Sequence, residues 1–302
     1  MTRYVKVGVE DTFGTAASTW FGVRMKSIEP TVEQNPIYDA TIEDYLPTVA
    51  VPGHLSISLR GEMIARYNQL TPFLYAFMGE TTPEDLSGAG SGPWKWEFTC
   101  KEPKSLTVEL SEHETWRFLG VGISSMEFTF EAREPVNVSF DAIAKTWEQI
   151  ASPASPTYTG EPPLVFYDAS VSLVEDTTET TLRLKSITVS IDRNLADDYY
   201  VVGQRTLWDL HAGEANVTGR LTFYEENVDE LIKAISTDSL SQVHIKIVAS
   251  PSGSDHYLQI DMPAVIYTSG SFSISGRDLI TREVEYRALD LKITLHNEVK
   301  EV

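Results

Sequence analysis

Strict alternation of apolar and polar residues marks several segments of the chain. Around residues 125–131, 136–142, 187–192 and 271–275, apolar residues occupy every second position and polar residues lie between them. A period of two is typical of a strand with one face on a core and the other in water. Thr, Val, Ile and aromatic residues, which strands favour, are abundant in these segments. The pattern predicts a mostly β chain.

Two shorter segments show helical spacing instead. Residues 68–78 and 227–235 each place apolar residues three and four positions apart. This spacing forms one apolar stripe along a helix and predicts an amphipathic helix in each segment. Both helices are short, so we expect each one to cover an end of a sandwich or barrel.

The chain of 302 residues divides near its middle. Residues 151–163 are rich in Pro and Ser, a composition typical of an exposed linker. The length of the chain also suits two domains of ordinary size. We therefore expect a first β domain over residues 1–150 and a second over residues 164–302.

The two halves resemble each other in the order of their elements. Residues 25–35 match residues 184–194 without a gap at an offset of 159, and a long segment without clear periodicity follows each, 36–52 and 195–212. A strand and a helix come next in both halves, and a later strand pair matches at an offset of 146. This order predicts a tandem duplication of a β-sandwich or half-barrel domain with a short flanking α-helix.

The two long segments carry aromatic and aliphatic side chains of the kind that anchor protein–protein contacts. Long loops without regular structure are usually functional. The candidate inter-subunit residues are Tyr38, Ile42 and Tyr45 in the first segment and Tyr199, Tyr200 and Trp208 in the second. Two interpretations stay open. Each arm folds back and seals its own domain, or both arms reach a neighbouring subunit.

Charge and composition disfavour several classes of function. The chain has 24 basic and 44 acidic residues, a net charge of −20. This balance disfavours wrapping of nucleic acid and docking on an anionic membrane. No apolar run is long enough for a transmembrane helix, and the first ten residues lack the apolar core of a signal peptide. We expect folding in a cytoplasm without membrane insertion, and the single cysteine excludes an internal disulfide.

No motif predicts catalysis, a cofactor or a metal site. His113 lies between two glutamates, but adjacent residues of a strand point to opposite faces, so the three side chains cannot converge on one ion. The glycine-rich segment 88–92 lacks the Lys-Ser/Thr pair and the strand–helix context of a phosphate-binding loop. We expect a protein that is not an enzyme, with no catalytic, cofactor-binding or metal-binding residues.

Three short segments carry a family resemblance: residues 8–17, the Lys-Ser-Ile strand with its continuation to residue 35, and its counterpart at 191–194. Together with the strand–helix order of each half, they resemble the major tail tube proteins of long-tailed phages and related archaeal viruses, in the class with a duplicated domain. The resemblance covers nearly the whole chain. It implies two tail-tube-type β domains and a structural virion protein without an active site.

In that family similar β domains lie side by side in a ring, and their inner strands join into one barrel. The resemblance therefore implies that a duplicated chain forms a trimeric ring that mimics six single domains, and that rings stack into a tube for genome delivery. It implies tail terminator, tape measure and baseplate proteins as partners, and viral DNA that passes through without specific binding. The protein would be assembled in the host cytoplasm and reside in the virion tail.

The acidic composition suits a conduit for DNA, because a lumen of like charge repels phosphate. On the polar faces of the later strand pairs we expect lumen-facing positions at Glu127, Thr129 and Glu131, and at Ser273 and Ser275.

Two other classes of function stay open at this point. One is a carbohydrate- or cell-surface-binding β-sandwich module, such as an adhesin, with an aromatic platform built from Trp94 with Trp96, or from Trp20. The other is a hydrolase whose site is assembled from distant residues.

Overall fold

The computed structural model describes residues 3–39, 46–47, 49–88, 92–151, 155–175, 178–224, 242–273 and 281–302. The strands before residue 151, called the first half below, are β1 (Tyr4–Val9), β2 (Phe21–Val23), β3 (Met25–Glu33), β4 (Ile37–Asp39), β5 (Val49–Val51), β6 (Ser56–Ile64), β7 (Glu84–Asp85), β8 (Trp94–Phe98), β9 (Leu106–Ser111), β10 (Thr115–Glu131), β11 (Asn137–Ile143) and β12 (Thr146–Ile150). The strands after it, the second half, are β13 (Ala169–Glu175), β14 (Thr178–Thr181), β15 (Leu184–Asp192), β16 (Asn216–Tyr224), β17 (Gln242–Ala249), β18 (Tyr257–Ser273), β19 (Thr281–Ala288) and β20 (Lys292–Asn297). Helix α1 spans Tyr67–Met78, and a 3-10 turn spans Phe166–Asp168. The prediction of a mostly β chain is confirmed.

Each half winds its strands into a small barrel. In the first half β3, β6, β11, β10, β9 and β1 pair in that order, and β1 also pairs with β2. Only Arg24 separates β2 from β3, so this bent strand closes the barrel. In the second half β15, β16, β19, β18, β17 and β13 pair in the same manner, with β14 beside β13.

One antiparallel sheet of eight strands runs through both halves. Its order is β3–β6–β11–β10–β15–β16–β19–β18, and the ladder between β10 and β15 joins the halves. Seven residue pairs form this ladder, from Ser125 opposite Asp192 to Glu131 opposite Ser186. The inward side chains of the sheet are apolar and buried, so its outward face is polar, as the alternating pattern predicts.

The strand order β3–β6–β11–β10 recurs as β15–β16–β19–β18, and local irregularities recur with it. The bulge between Met25 and Ser27 has its counterpart between Leu184 and Ser186, 159 residues later. The bulge between Ile123 and Ser125 has its counterpart between Tyr267 and Ser269, 144 residues later. Asn35 and Asn194, again 159 apart, both adopt a left-handed backbone, with φ of 41° and 46°. The bulges thus align the later strands at 144, two residues less than the sequence match.

Helix α1 is buried on almost every side. It begins after Arg66, whose backbone is extended, and ends at Gly79, whose φ of 100° closes the last turn with an amide bond to the Tyr75 carbonyl. Eleven of its twelve residues are buried, because it packs between β1, β2 and β10 of the first half and the layer formed by β8 and β20. The helix predicted at 68–78 is confirmed. The helix predicted at 227–235 lies outside the described residues.

A buried carboxylate holds the segment 8–17 in place. Glu10 is only 3% exposed and accepts four hydrogen bonds, from Ser105 Oγ (2.6 Å), Thr107 Oγ1 (2.8 Å), the Gly14 amide (2.7 Å) and the Gly120 amide (2.8 Å). Four donors satisfy the charge that burial takes away from water. The glutamate of this segment therefore has a structural role.

Candidate functional site

Two sheet edges stay open within the part of the chain that the structure describes. Strand β3 pairs with β6 on one side only, and residues 267–273 of β18 pair only with β19. The corresponding edges at the middle of the sheet, on β10 and β15, are paired with each other. An unpaired edge presents a row of amides and carbonyls to any strand that approaches.

The ladder between the halves shows which residues face an edge. The Ala132 amide donates to the Lys185 carbonyl (2.9 Å), and the Arg193 amide donates to the Ser124 carbonyl (2.8 Å). Because antiparallel bonds alternate, odd-numbered residues of β15 direct their backbone groups toward β10. Through the offset of 159, the even-numbered residues of β3 direct theirs toward its open edge.

Proline 30 fits this assignment. It corresponds to Val189 and lies in β3 opposite Leu59 of β6. Proline has no amide hydrogen and is tolerated in a strand only where its nitrogen faces an unpaired side. Pro30 therefore leaves the ladder with β6 intact and removes one donor from the open edge.

An apolar groove lies beside β3. Its volume is about 840 Å³, and its lining includes Val23, Met25, Ile28, Pro30 and Trp116. The corresponding place in the second half is lined by Leu182, Leu184 and Ile187, and the end of β10 with Phe130 packs into it, leaving about 180 Å³. The first half thus has an empty space where the second half is filled by its neighbour.

The outward face of the eight-stranded sheet, called the polar face below, carries an excess of acid. Its described residues include nine acidic and four basic side chains. The acidic ones are Glu29, Glu33, Glu62, Glu127, Glu131, Asp141, Asp192, Glu283 and Glu285, and the basic ones are Lys26, Arg60, Arg220 and Arg287. Arg60 pairs with Asp141 (2.8 Å) and Arg220 with Glu285 (3.1 Å). A hydrogen bond from Ser269, followed by that Arg220 pair, lowers the pKa of Glu285, so its carboxylate stays charged.

The predicted lumen residues fall on this polar face where they are described. Glu127, Thr129 and Glu131 lie on β10 opposite Ser190, Thr188 and Ser186 of β15. Both glutamates are exposed. Ser273 ends β18, opposite Thr281, and its side chain lies outside the described residues, as does the whole of Ser275.

The second long segment packs on the other half of the chain. The Tyr200 hydroxyl donates to the Leu55 carbonyl (2.9 Å), and Arg205 Nε donates to the Gly53 carbonyl (2.7 Å). The Leu55 amide in turn donates to the Arg205 carbonyl (2.7 Å). Leu210 packs on Gly122, where an added Cβ would lie 2.4 Å from its methyl carbon. Tyr199 and Trp208 stay partly exposed, at 42% and 46%.

The first long segment is more regular than expected and far more exposed. Strands β4 and β5 form a hairpin in which Ile37 pairs with Val51. Tyr38 is 61% exposed and Leu46 is 78% exposed, and Ile37, Val49 and Val51 are about half exposed or more. The predicted contact residues Ile42 and Tyr45 lie outside the described residues. The two arms thus differ, since only the second already has a surface to pack on.

Sequence reasoning missed the strand β8 as a link between the halves. It lies in the first half but pairs with β20 of the second, with Phe98 opposite Ile293. Lys95 and Lys292 both donate to Glu97 and lower its pKa. The alternation in Trp94–Phe98 indicates a strand, but no local pattern indicates its distant partner.

The alternative classes find little support in the described residues. Trp94 and Trp96 are buried, and Lys6 and Arg117 lie over the ring of Trp20, so these rings offer no open platform for a sugar. No three His, Cys, Asp or Glu side chains gather into a possible metal site in the described ranges. No helix in the described part of the chain is long and apolar enough to span a membrane.

Comparison with known proteins agrees with this picture. A search of curated protein sequences found no match. Among solved structures, a chain of the baseplate of the anti-feeding prophage is similar over 48% of this chain and 97% of its own, with 12% identity and a TM-score of 0.37. The profile of the family described as phage tail tube protein matches residues 2–288. The chain therefore belongs to the phage tail tube protein family.

Proposed function

We propose that the protein is a major tail tube subunit, and that three copies form a ring in which six similar halves mimic six single domains. The observation that carries this proposal is the eight-stranded sheet, whose halves are joined by β10 and β15 while β3 and β18 keep matching open edges. A contact that joins the halves inside the chain can join chains in the same way.

The ladder inside the chain gives the register of the ladder between chains. With the offsets of 144 and 159, the pairs of β10 with β15 translate into Ser269 opposite Glu33, Ser271 opposite Thr31 and Ser273 opposite Glu29 of the next subunit. Phe272 then lies opposite Pro30, so one hydrogen bond is missing from this ladder. The groove of about 840 Å³ beside β3 would receive the end of the neighbour's β18, as the second half receives the end of β10.

Three eight-stranded sheets would close a barrel of 24 strands. At a strand spacing of about 4.8 Å and a tilt of about 40°, its backbone would measure about 45–50 Å across, wider than a DNA duplex. The polar face would line the lumen and place Glu127, Thr129 and Glu131 there. Its excess of carboxylates would repel phosphate, so that DNA slides through without binding.

Stacked rings would form the tube of a virion tail, assembled in the host cytoplasm with the tail terminator, tape measure and baseplate proteins of the particle. An arrangement in which the contacts within a ring close and the contacts between rings do not produces such a filament. The lysine variants Glu127→Lys and Glu131→Lys should still assemble but should retain DNA at low salt, whereas the wild-type tube should not.

The decisive test is a disulfide across the expected ladder. Thr31 and Ser271 form a pair without mutual hydrogen bonds, in which the side chains are closest. In a Cys100→Ser background, Thr31→Cys with Ser271→Cys should give covalent dimers and trimers on oxidation. The matched pair Glu127→Cys with Ser190→Cys should link only within one chain.

The register has its own control, Thr31→Cys with Ser269→Cys, which shifts the pair by two residues and should link poorly. Native mass spectrometry should show a species of about 101 kDa, three times 33.7 kDa. A protein that stays monomeric at high concentration would overturn the proposal. Links that form only in the shifted register would overturn the ladder.

A further inference from the structure

The packing of the second arm identifies a receiving surface for the first. We propose that the hairpin of residues 36–52 docks on residues 213–215 and Ile266 in the second half of the adjacent subunit of the same ring. This inference rests on the proposed function, because it requires a ring of similar halves. The occupant is therefore a second copy of this chain.

The two arms are hairpins in equivalent registers. In the second arm Leu195 bridges Ala212, and the Trp208 amide donates to the Tyr199 carbonyl (2.9 Å). In the first arm Ile37 pairs with Val51 and Tyr38 with Ala50. Taking 159 from the leading strand and 160 from the returning strand superposes one set of pairs on the other. The first arm can therefore present itself to a neighbouring half as the second arm does.

The receiving residues also correspond. The second arm holds Gly53 and Leu55 through three hydrogen bonds, two of them to the backbone of Leu55. At an offset of 160 the corresponding residues are Gly213 and Ala215. In the described part of the chain, no hydrogen bond engages the backbone amide or carbonyl of Ala215. This short segment thus retains the backbone groups that the first half already uses.

The side chains at the centre of the contact exchange sizes. Within the chain, large Leu210 packs on Gly122. The corresponding residues are Ala50 in the first arm and Ile266 in β18. A large residue on the arm against glycine becomes a small residue on the arm against isoleucine, so the volume of the contact is kept. Such compensation is expected if Ala50 and Ile266 meet between subunits.

The apolar side chains of the first arm agree with a partner outside the chain. Five of them are about half exposed or more, Ile37, Tyr38, Leu46, Val49 and Val51. In the second arm Leu207 is buried, and Leu195, Tyr200 and Leu210 are only partly exposed, because that arm already lies on the first half. A contiguous exposed apolar surface of this kind marks a protein contact.

A double-mutant cycle tests the contact. Ala50→Leu should overpack it and raise the midpoint concentration of trimer formation at least about tenfold, while the monomer, in which Ala50 is exposed, unfolds as before. Ile266→Ala in the same chain should restore most of that loss. The matched variant Ala50→Ser should have little effect. Additive effects of Ala50→Leu and Ile266→Ala would overturn the proposed contact.

Photo-crosslinking locates the arm directly. Benzoylphenylalanine at Leu46, in isolated trimers made from isotopically light and heavy chains, should link to the peptide of residues 213–215 in the other chain. The same group at Arg205 is the control and should link to residues 53–55 of its own chain. Trimers in which Leu46 labels its own chain, or labels another chain only after rings stack, overturn the docking site but leave the ring. Absence of trimers overturns both.

Discussion

A proline at the open edge of β3 separates assembly from folding. Val32 corresponds to Ile191, which directs its backbone groups toward β10, so the Val32 amide faces the open edge. Val32→Pro removes a donor from the ladder between subunits and leaves the ladder with β6 unchanged. Thr31→Pro is the matched control, because the Thr31 amide faces β6, where Thr31 lies opposite Ser58.

The expected size of the effect follows from the three joints of a ring. One lost hydrogen bond weakens a joint by about 1.4 kcal/mol, a factor of about ten. Three joints change the trimerisation constant by about a thousandfold, which raises the midpoint concentration about thirtyfold because that midpoint follows the square root of the constant. The free energy of unfolding of the Val32→Pro monomer should stay within about 1 kcal/mol of wild type.

Sedimentation equilibrium over a wide range of protein concentration, with urea unfolding at the lowest concentration, measures both quantities. Thr31→Pro should lose about 3 kcal/mol of monomer stability, because it removes a ladder bond inside the barrel. If Val32→Pro trimerises at the wild-type concentration, the edge of β3 is not part of the joint and the reasoning fails.

Three further variants test features of the fold. Glu10→Ala should lower the free energy of unfolding by about 3–5 kcal/mol, since four donors lose their acceptor, whereas exposed Asp11→Ala should change it by less than about 0.5 kcal/mol; a loss below 1 kcal/mol would refute the buried role. Gly219→Ala should destabilise by about 1–3 kcal/mol, because its Cβ would lie 2.1 Å from the Thr188 carbonyl oxygen, and Gly160→Ala, which meets open space, should not; equal melting temperatures would count against this packing. The lowered pKa of Glu97 contributes stability above the ordinary range of a glutamate and loses it as the pH falls through the lowered value, so the difference between wild type and Glu97→Gln in urea unfolding should shrink on acidification; a constant difference from neutral to acid pH would contradict the assigned ion pairs.

Local pattern predicts the elements well, because a half-buried strand must alternate. The predicted strand segments 125–131 and 187–192 lie in β10 and β15, and α1 covers the segment 68–78. The match between residues 25–35 and 184–194 also placed two strands that occupy corresponding positions in the sheet. The duplication itself and the boundaries 1–150, 151–163 and 164–302 stay predictions.

Pairing between distant segments could not be predicted, because no local property of a strand names its partner. Nothing in Trp94–Phe98 indicates β20, nearly 200 residues away, as the neighbouring strand. The same holds for the second arm, whose Tyr200 and Arg205 meet Leu55 and Gly53 only after both halves have folded. The hairpin of β4 and β5 was missed because its apolar residues alternate over only three positions in each strand.

The most direct measurement of the central claim is a cryo-EM reconstruction of the assembled protein. The account predicts rings of three chains with one continuous 24-stranded antiparallel barrel, in which β3 of each chain pairs with β18 of the next, with Thr31 opposite Ser271. Rings or tubes held together by other surfaces, with the edges of β3 and β18 left unpaired, would contradict it.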